Sequence, residues 1–61
     1  MKVKDVLRLL KNDGWEVARQ KGSHRQFRHP IKQGTVTVPV HRLPDEVPIG
    51  TLKSILKQAG L

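Results

Sequence analysis

The spacing of apolar residues changes period twice along these 61 residues, and those two changes constrain the fold more than any motif does. Val3, Val6, Leu7 and Leu10 fall at i, i+3, i+4 and i+7, which predicts an amphipathic helix from Lys2 to about Asn12. Asp5 lies in its first turn, where a negative charge suits the helix dipole. Asn12-Asp13-Gly14 ends it, with Gly14 as a left-handed cap. From Trp15 to Gln20 the period becomes two, with Trp15 and Val17 inward. Lys21-Gly22-Ser23 makes a turn, and a second strand follows from His24 to His29. Its alternation sends Phe27 and His29 inward and His24, Gln26 and Arg28 outward. Pro30 to Gly34 closes another hairpin into a third strand, Thr35 to Val38, with Val36 and Val38 facing the core. Leu52, Ile55, Leu56 and Ala59 then restore helical spacing. They predict a second helix from about Pro48, which suits a first turn, to Ala59, with Gly60 beyond it. Thr51 is a rival N-cap. The connector Val40 to Val47, stiffened by Pro39, Pro44 and Pro48, puts Asp45 and Glu46 just ahead of that helix, where its dipole favours them.

The expected fold class is therefore α+β in the order α-β-β-β-α. Each helix has one apolar stripe and each strand one apolar face. The simplest burial lays both helices on one face of a three-stranded antiparallel sheet, an outline resembling the double-stranded-RNA-binding domain (dsRBD). The other sheet face is then polar and carries Glu16, Ala18 and Gln20, then His24, Gln26 and Arg28, then Thr35 and Thr37.

A chain of this length has room for one domain, residues 1–61, with a small core. There is no Cys, so disulfides, thiolate zinc sites and thiol chemistry are excluded together. No apolar run approaches the roughly 20 residues that cross a membrane. Met1-Lys2-Val3-Lys4-Asp5 lacks the apolar stretch of a signal peptide, and a cytoplasmic protein is expected. Twelve Lys and Arg against five Asp and Glu give a net charge of +7, which calls for a polyanionic partner. A membrane surface is disfavoured, because Trp15 and Phe27 lie outside the helical segments. Nucleic acid or an acidic protein remains.

Within that basic chain, Gly22-Ser23-His24 sets one imidazole beside a flexible turn, between Lys21 and Arg25. Imidazole is the side chain best suited to moving protons near neutral pH, and Lys and Arg hold phosphates. A proton shuttle among phosphate binders is a minimal apparatus for cutting RNA. Four blocks of sequence extend the pattern: Gly22 to Arg25, Phe27 to Pro30, Val36 to His41, and Gly50 to Gly60. In this order and spacing they resemble the HicA (YcfA-like) family of toxins. The resemblance implies a dsRBD-like fold, cleavage of mRNA, growth arrest and neutralisation by a HicB-type antitoxin. It also implies that His24 is catalytic. Many members carry a second His directly after that position, whereas this chain has Arg25, which keeps a phosphate-binding group there.

RNA needs no metal or other cofactor for strand scission, because its 2′-OH is a built-in nucleophile. A general base removes that proton, the oxygen attacks the neighbouring phosphorus, and an acid protonates the departing 5′ oxygen. His24 is the expected base, or serves as base and acid in turn, and the expected products are a 2′,3′-cyclic phosphate and a 5′-hydroxyl. Lys21, Ser23, Arg25, Arg28, Lys53 and Lys57 are the candidate RNA contacts. Lys4, Arg8 and Lys11 line a flank of the first helix, as a phosphate track or simply a solvated face. His29 is expected to be structural. His41 packs, caps the connector or approaches the site, with structure the favoured role. Dipole capping explains Asp45 and Glu46 better than metal binding does. Trp15 and Phe27 are expected in the core rather than as base-stacking platforms. Two rival functions use the same surface: a non-catalytic RNA-binding module, and a pure interaction partner of an acidic protein.

Overall fold

In the computed structural model, which describes residues 1–61, the elements are α1 (Val3–Asn12), β1 (Glu16–Lys21), β2 (His24–Arg28), β3 (Val36–Pro39) and α2 (Ile49–Ala59). The sheet is antiparallel with order β1-β2-β3, so the α-β-β-β-α reading of the periodicities holds. No helix is long and apolar enough to cross a membrane.

The core draws Val3, Val6 and Leu10 from α1 and Leu52, Ile55 and Ala59 from α2. Between them lie Trp15, Phe27, Val36 and Val38 from the sheet layer, with Val47 from the connector. Phe27 pairs with Val36 across β2 and β3, so these apolar residues share one sheet face, and it is the face the helices cover. Trp15 is 2% exposed and is the largest fully buried side chain.

Backbone groups close α1 at both ends. No side chain caps its N-terminus; instead the Val3 and Lys4 amides donate to the carbonyls of Asp45 and Leu43, satisfying donors that a helix start leaves free. The connector is thus tied to the first helix. Asp45 and Glu46 lie just ahead of α2, where they were expected, and Glu46 also pairs with the Met1 amine at 3.3 Å. At the other end, Trp15 N–H donates to Leu10 C=O and Gly14 N–H to Lys11 C=O, the two bonds of a Schellman stop. Gly14 has φ +102°, and a Cβ there would meet His29 Nε2 at 2.7 Å, so a side chain is excluded twice over.

That close approach belongs to a polar staple beneath the sheet. His29 Nε2–H donates to the Asp13 carbonyl at 2.7 Å, while Nδ1 accepts from the amides of Ile31 and Lys32 at 3.0 Å each, a pattern that fixes the Nε2–H tautomer. The His29 ring meets Trp15 edge-on at 5.1 Å, and the Trp15 indole N–H donates to the Asp13 carboxylate. Lys32 forms an ion pair with that carboxylate and donates to the Ala59 carbonyl at the end of α2. The ends of α1 and α2 and the β2–β3 loop are thereby joined, and the structural role expected of His29 is its role.

The hydrogen bond from Lys32, with its charge and the Trp15 N–H adding to it against partial burial, holds the Asp13 carboxyl below its ordinary value of 3.8. A carboxyl lowered in the folded state stabilises the fold above the unfolded value, and that contribution is lost as pH falls through the folded one. Asp13→Asn should therefore lower stability at pH 6 relative to the parent, and the gap should close below about pH 4. Urea unfolding midpoints across pH 2–6 test this; a constant gap over the whole range would refute it.

Candidate functional site

Gly22 and Ser23 form the two-residue loop between Lys21 and His24, the last pair of the β1–β2 ladder. Gly22 has φ +59° and no other residue but Gly has positive φ, the pattern of a II′ hairpin, whose twist suits the strands it joins. The Ser23 carbonyl accepts from Val40 N–H at 2.6 Å, fastening the loop to the exit of β3. His24 therefore opens the central strand, flanked by Lys21 on β1 and Pro39 on β3.

Which side chains share the face of His24 is decided by one irregularity. Val17 pairs with Phe27, yet the next pair is Arg19 with Gln26, so Ala18 is an extra, unpaired residue. A β-bulge shifts strand parity by one. Beyond it, Gln20 pairs with Arg25 and turns to the helix side, correcting its expected place on the polar face. Arg19 and Lys21 take the opposite side with His24, Gln26 and Arg28. The exposed face thus reads Lys21-His24-Pro39, then Arg19-Gln26-Thr37, then Glu16-Arg28, three cations against one carboxylate around an exposed imidazole. Arg19 was missed by sequence reasoning. Uniform alternation sends it inward, and nothing in Val17-Ala18-Arg19 announces a bulge.

Arg25 takes the other side of the sheet, because neighbours in a strand face opposite ways. It is half-buried, and its Nε donates to Gln20 Oε1 at 3.2 Å, while Gln20 Nε2 donates to the Gly22 carbonyl at 3.0 Å. The guanidinium so braces the hairpin loop from beneath. It also lines the largest hollow of the surface, about 360 Å³, with Leu7, Lys11, Trp15, Val17 and Phe27. Val17, 56% exposed, is inward by pairing but lies on the edge strand, where that hollow leaves it uncovered. His24 is not part of it.

Ser23 lies half-buried in the loop. Lys53 and Lys57 are exposed on α2, in the helix layer and so across the sheet from the face of His24. Of the predicted contacts, the fold gathers Lys21, Ser23 and Arg28 with His24, adds Arg19, and separates Arg25, Lys53 and Lys57 from them. The free edge of β3 is blunted: Thr37 N–H donates to Gln58 Oε1, and Pro39 has no N–H to offer.

A comparison with functionally curated proteins gives no match. A family model described as the HicA toxin of bacterial toxin-antitoxin matches residues 3–61, nearly the whole length. The four blocks that carry the resemblance lie inside this span, and the first two hold His24 and Arg28 of the basic face. The chain belongs to the HicA toxin family of bacterial toxin-antitoxin systems.

Proposed function

We propose that this protein is the toxin of its pair and acts as an mRNA endoribonuclease, with His24 as the general base at the RNA 2′-OH. The observation that carries the reading is the shared face. An exposed imidazole stands at the mouth of a hairpin, with Lys21 beside it and Arg19 and Arg28 along the same side. His24 takes the 2′-O proton as the oxygen attacks the adjacent phosphorus. The Ser23 hydroxyl and the loop amides donate to the phosphate oxygens, where negative charge grows in the transition state. Lys21, Arg19 and Arg28 hold flanking phosphates, and Lys53 and Lys57 extend the positive field from the helix layer. The substrate places the activity in the cytoplasm. A HicB-type antitoxin that is acidic where it covers His24 would meet the same charges as the RNA.

End-labelled RNA incubated with the purified protein tests the reading. Fragments ending in a 2′,3′-cyclic phosphate and beginning with a 5′-hydroxyl are expected. Intact RNA that is nonetheless bound would establish the rival, a non-catalytic binding module.

The bulge gives a second test. Each phosphate contact on a single strand contributes about 0.7 to the slope of log affinity against log salt. Arg19→Gln should weaken RNA binding and flatten that slope by about this amount. An unchanged slope would remove Arg19 from the interface.

A further inference from the structure

The mechanism above leaves the departing 5′ oxygen without a proton donor. The β2–β3 ladder supplies one. The pairs Phe27–Val36, Gln26–Thr37, Arg25–Val38 and His24–Pro39 keep one register, and the Val40 N–H to Ser23 C=O bond at 2.6 Å adds a further rung, Ser23 opposite Val40. Val40 packs against the core, as a helix-side residue should, whereas Pro39 shares the face of His24. The next residue after Val40 is His41, where the chain bends away from the sheet. His41 thus stands two residues past the end of β3, at the end of the sheet where β2 begins with His24, and directly after the rung that Val40 makes with Ser23.

The fold does not spend His41 on packing. It is exposed, in contrast to His29 with its three hydrogen bonds. It lines a hollow of about 300 Å³ with Pro39, Thr51, Asp45 and Glu46, the last two being the acidic groups of the connector. From the sheet, Lys21 is the charged residue paired with His24.

We propose that His41 is the general acid of the reaction, the partner of His24 across the scissile phosphate; this rests on the endoribonuclease reading given above. The imidazolium of His41 gives its proton to the 5′ oxygen as the P–O5′ bond breaks, while the 2′-O–P bond forms and His24 accepts the 2′-OH proton. The step ends with His24 protonated and His41 neutral, and exchange with water restores both. The Val40–Ser23 hydrogen bond ties the segment that carries His41 to the loop that precedes His24, which brings residues 17 positions apart in the chain to one end of the sheet.

The test uses two RNA substrates, one natural and one with sulfur replacing the bridging 5′ oxygen at the cleaved linkage. A thiolate departs without protonation, so only the natural substrate needs the acid. His41→Ala should cut natural RNA about 10²–10⁴-fold more slowly and lose the fall in rate on the alkaline side of the pH profile. It should cut the sulfur substrate at close to the parental rate. His24→Ala should be slow on both. His41→Ala cutting natural RNA as fast as the parent, or being equally slow on both substrates, would overturn the assignment while leaving the role of His24 intact. A parent protein inert on both substrates would instead overturn the endoribonuclease reading and this one with it. Circular dichroism of His41→Ala, matching the parent, separates lost chemistry from lost fold.

Discussion

His24→Ala is expected to lower RNA cleavage by about 10²–10⁴-fold, the range that positioned proton transfer contributes, and to abolish growth arrest with it. Stability should change by no more than about 0.5 kcal/mol, because truncating an exposed side chain opens no cavity. RNA affinity should fall little, since the proposed function assigns the phosphates to Lys21, Arg19 and Arg28. This combination of lost rate, kept fold and kept binding is the signature of a group that touches the reacting atoms. The contrast with His29 sharpens it. His29→Ala removes three hydrogen bonds and the edge contact to Trp15, so it should cost about 1–3 kcal/mol and reduce activity only as the folded fraction falls. Rates for both variants, normalised to folded protein, decide the matter. Parental cleavage by folded His24→Ala would refute the mechanism.

The second large effect is on the fold itself. Trp15→Ala should destabilise by about 3–5 kcal/mol, as truncation of a fully buried aromatic does. At about 0.05–0.15 kcal/mol per residue, a domain of 61 residues is stable by only about 3–9 kcal/mol, so much of the variant should be unfolded at 37 °C. Trp15 is also the apolar wall of the polar staple. Its indole N–H donates to Asp13 at 3.1 Å and its ring meets His29, so truncation opens the staple to water. Trp15→Phe keeps most of the buried area and loses the Asp13 bond, and it should cost clearly less. The chain has a single Trp, so circular dichroism rather than fluorescence must follow the urea transition. A midpoint for Trp15→Ala within 1 kcal/mol of the parent, on the scale of a surface change, would mean the core is organised differently.

Element type and order were legible because they depend on local periodicity. The stripe Val3-Val6-Leu7-Leu10 and the alternation around Phe27, Val36 and Val38 each describe a buried face within a few residues, and both faces are buried as read. The stops at Gly14 and Gly60 were legible for the same reason, since a positive φ is a property of one residue. His24 was legible as a candidate because its turn, its strand and its exposure all follow from nearby residues.

What the sequence by itself determined is thus the α-β-β-β-α order, the core apart from Val17 and Val47, and the side of β2 from which His24 projects. Tertiary structure alone decided which residues of β1 join it there. The bulge at Ala18 moved Arg19 and Lys21 to its face and Gln20 off it, since slipping one position on a strand exchanges the two faces. Backbone hydrogen bonds between distant segments did the rest: Asp45 and Leu43 carbonyls cap α1, and Val40 bonds the loop that carries Ser23. Lys32, in what reads as a plain hairpin loop, joins both helix ends. Main-chain amides and carbonyls are the same in every residue but proline, so which of them meet leaves no mark on the order of side chains.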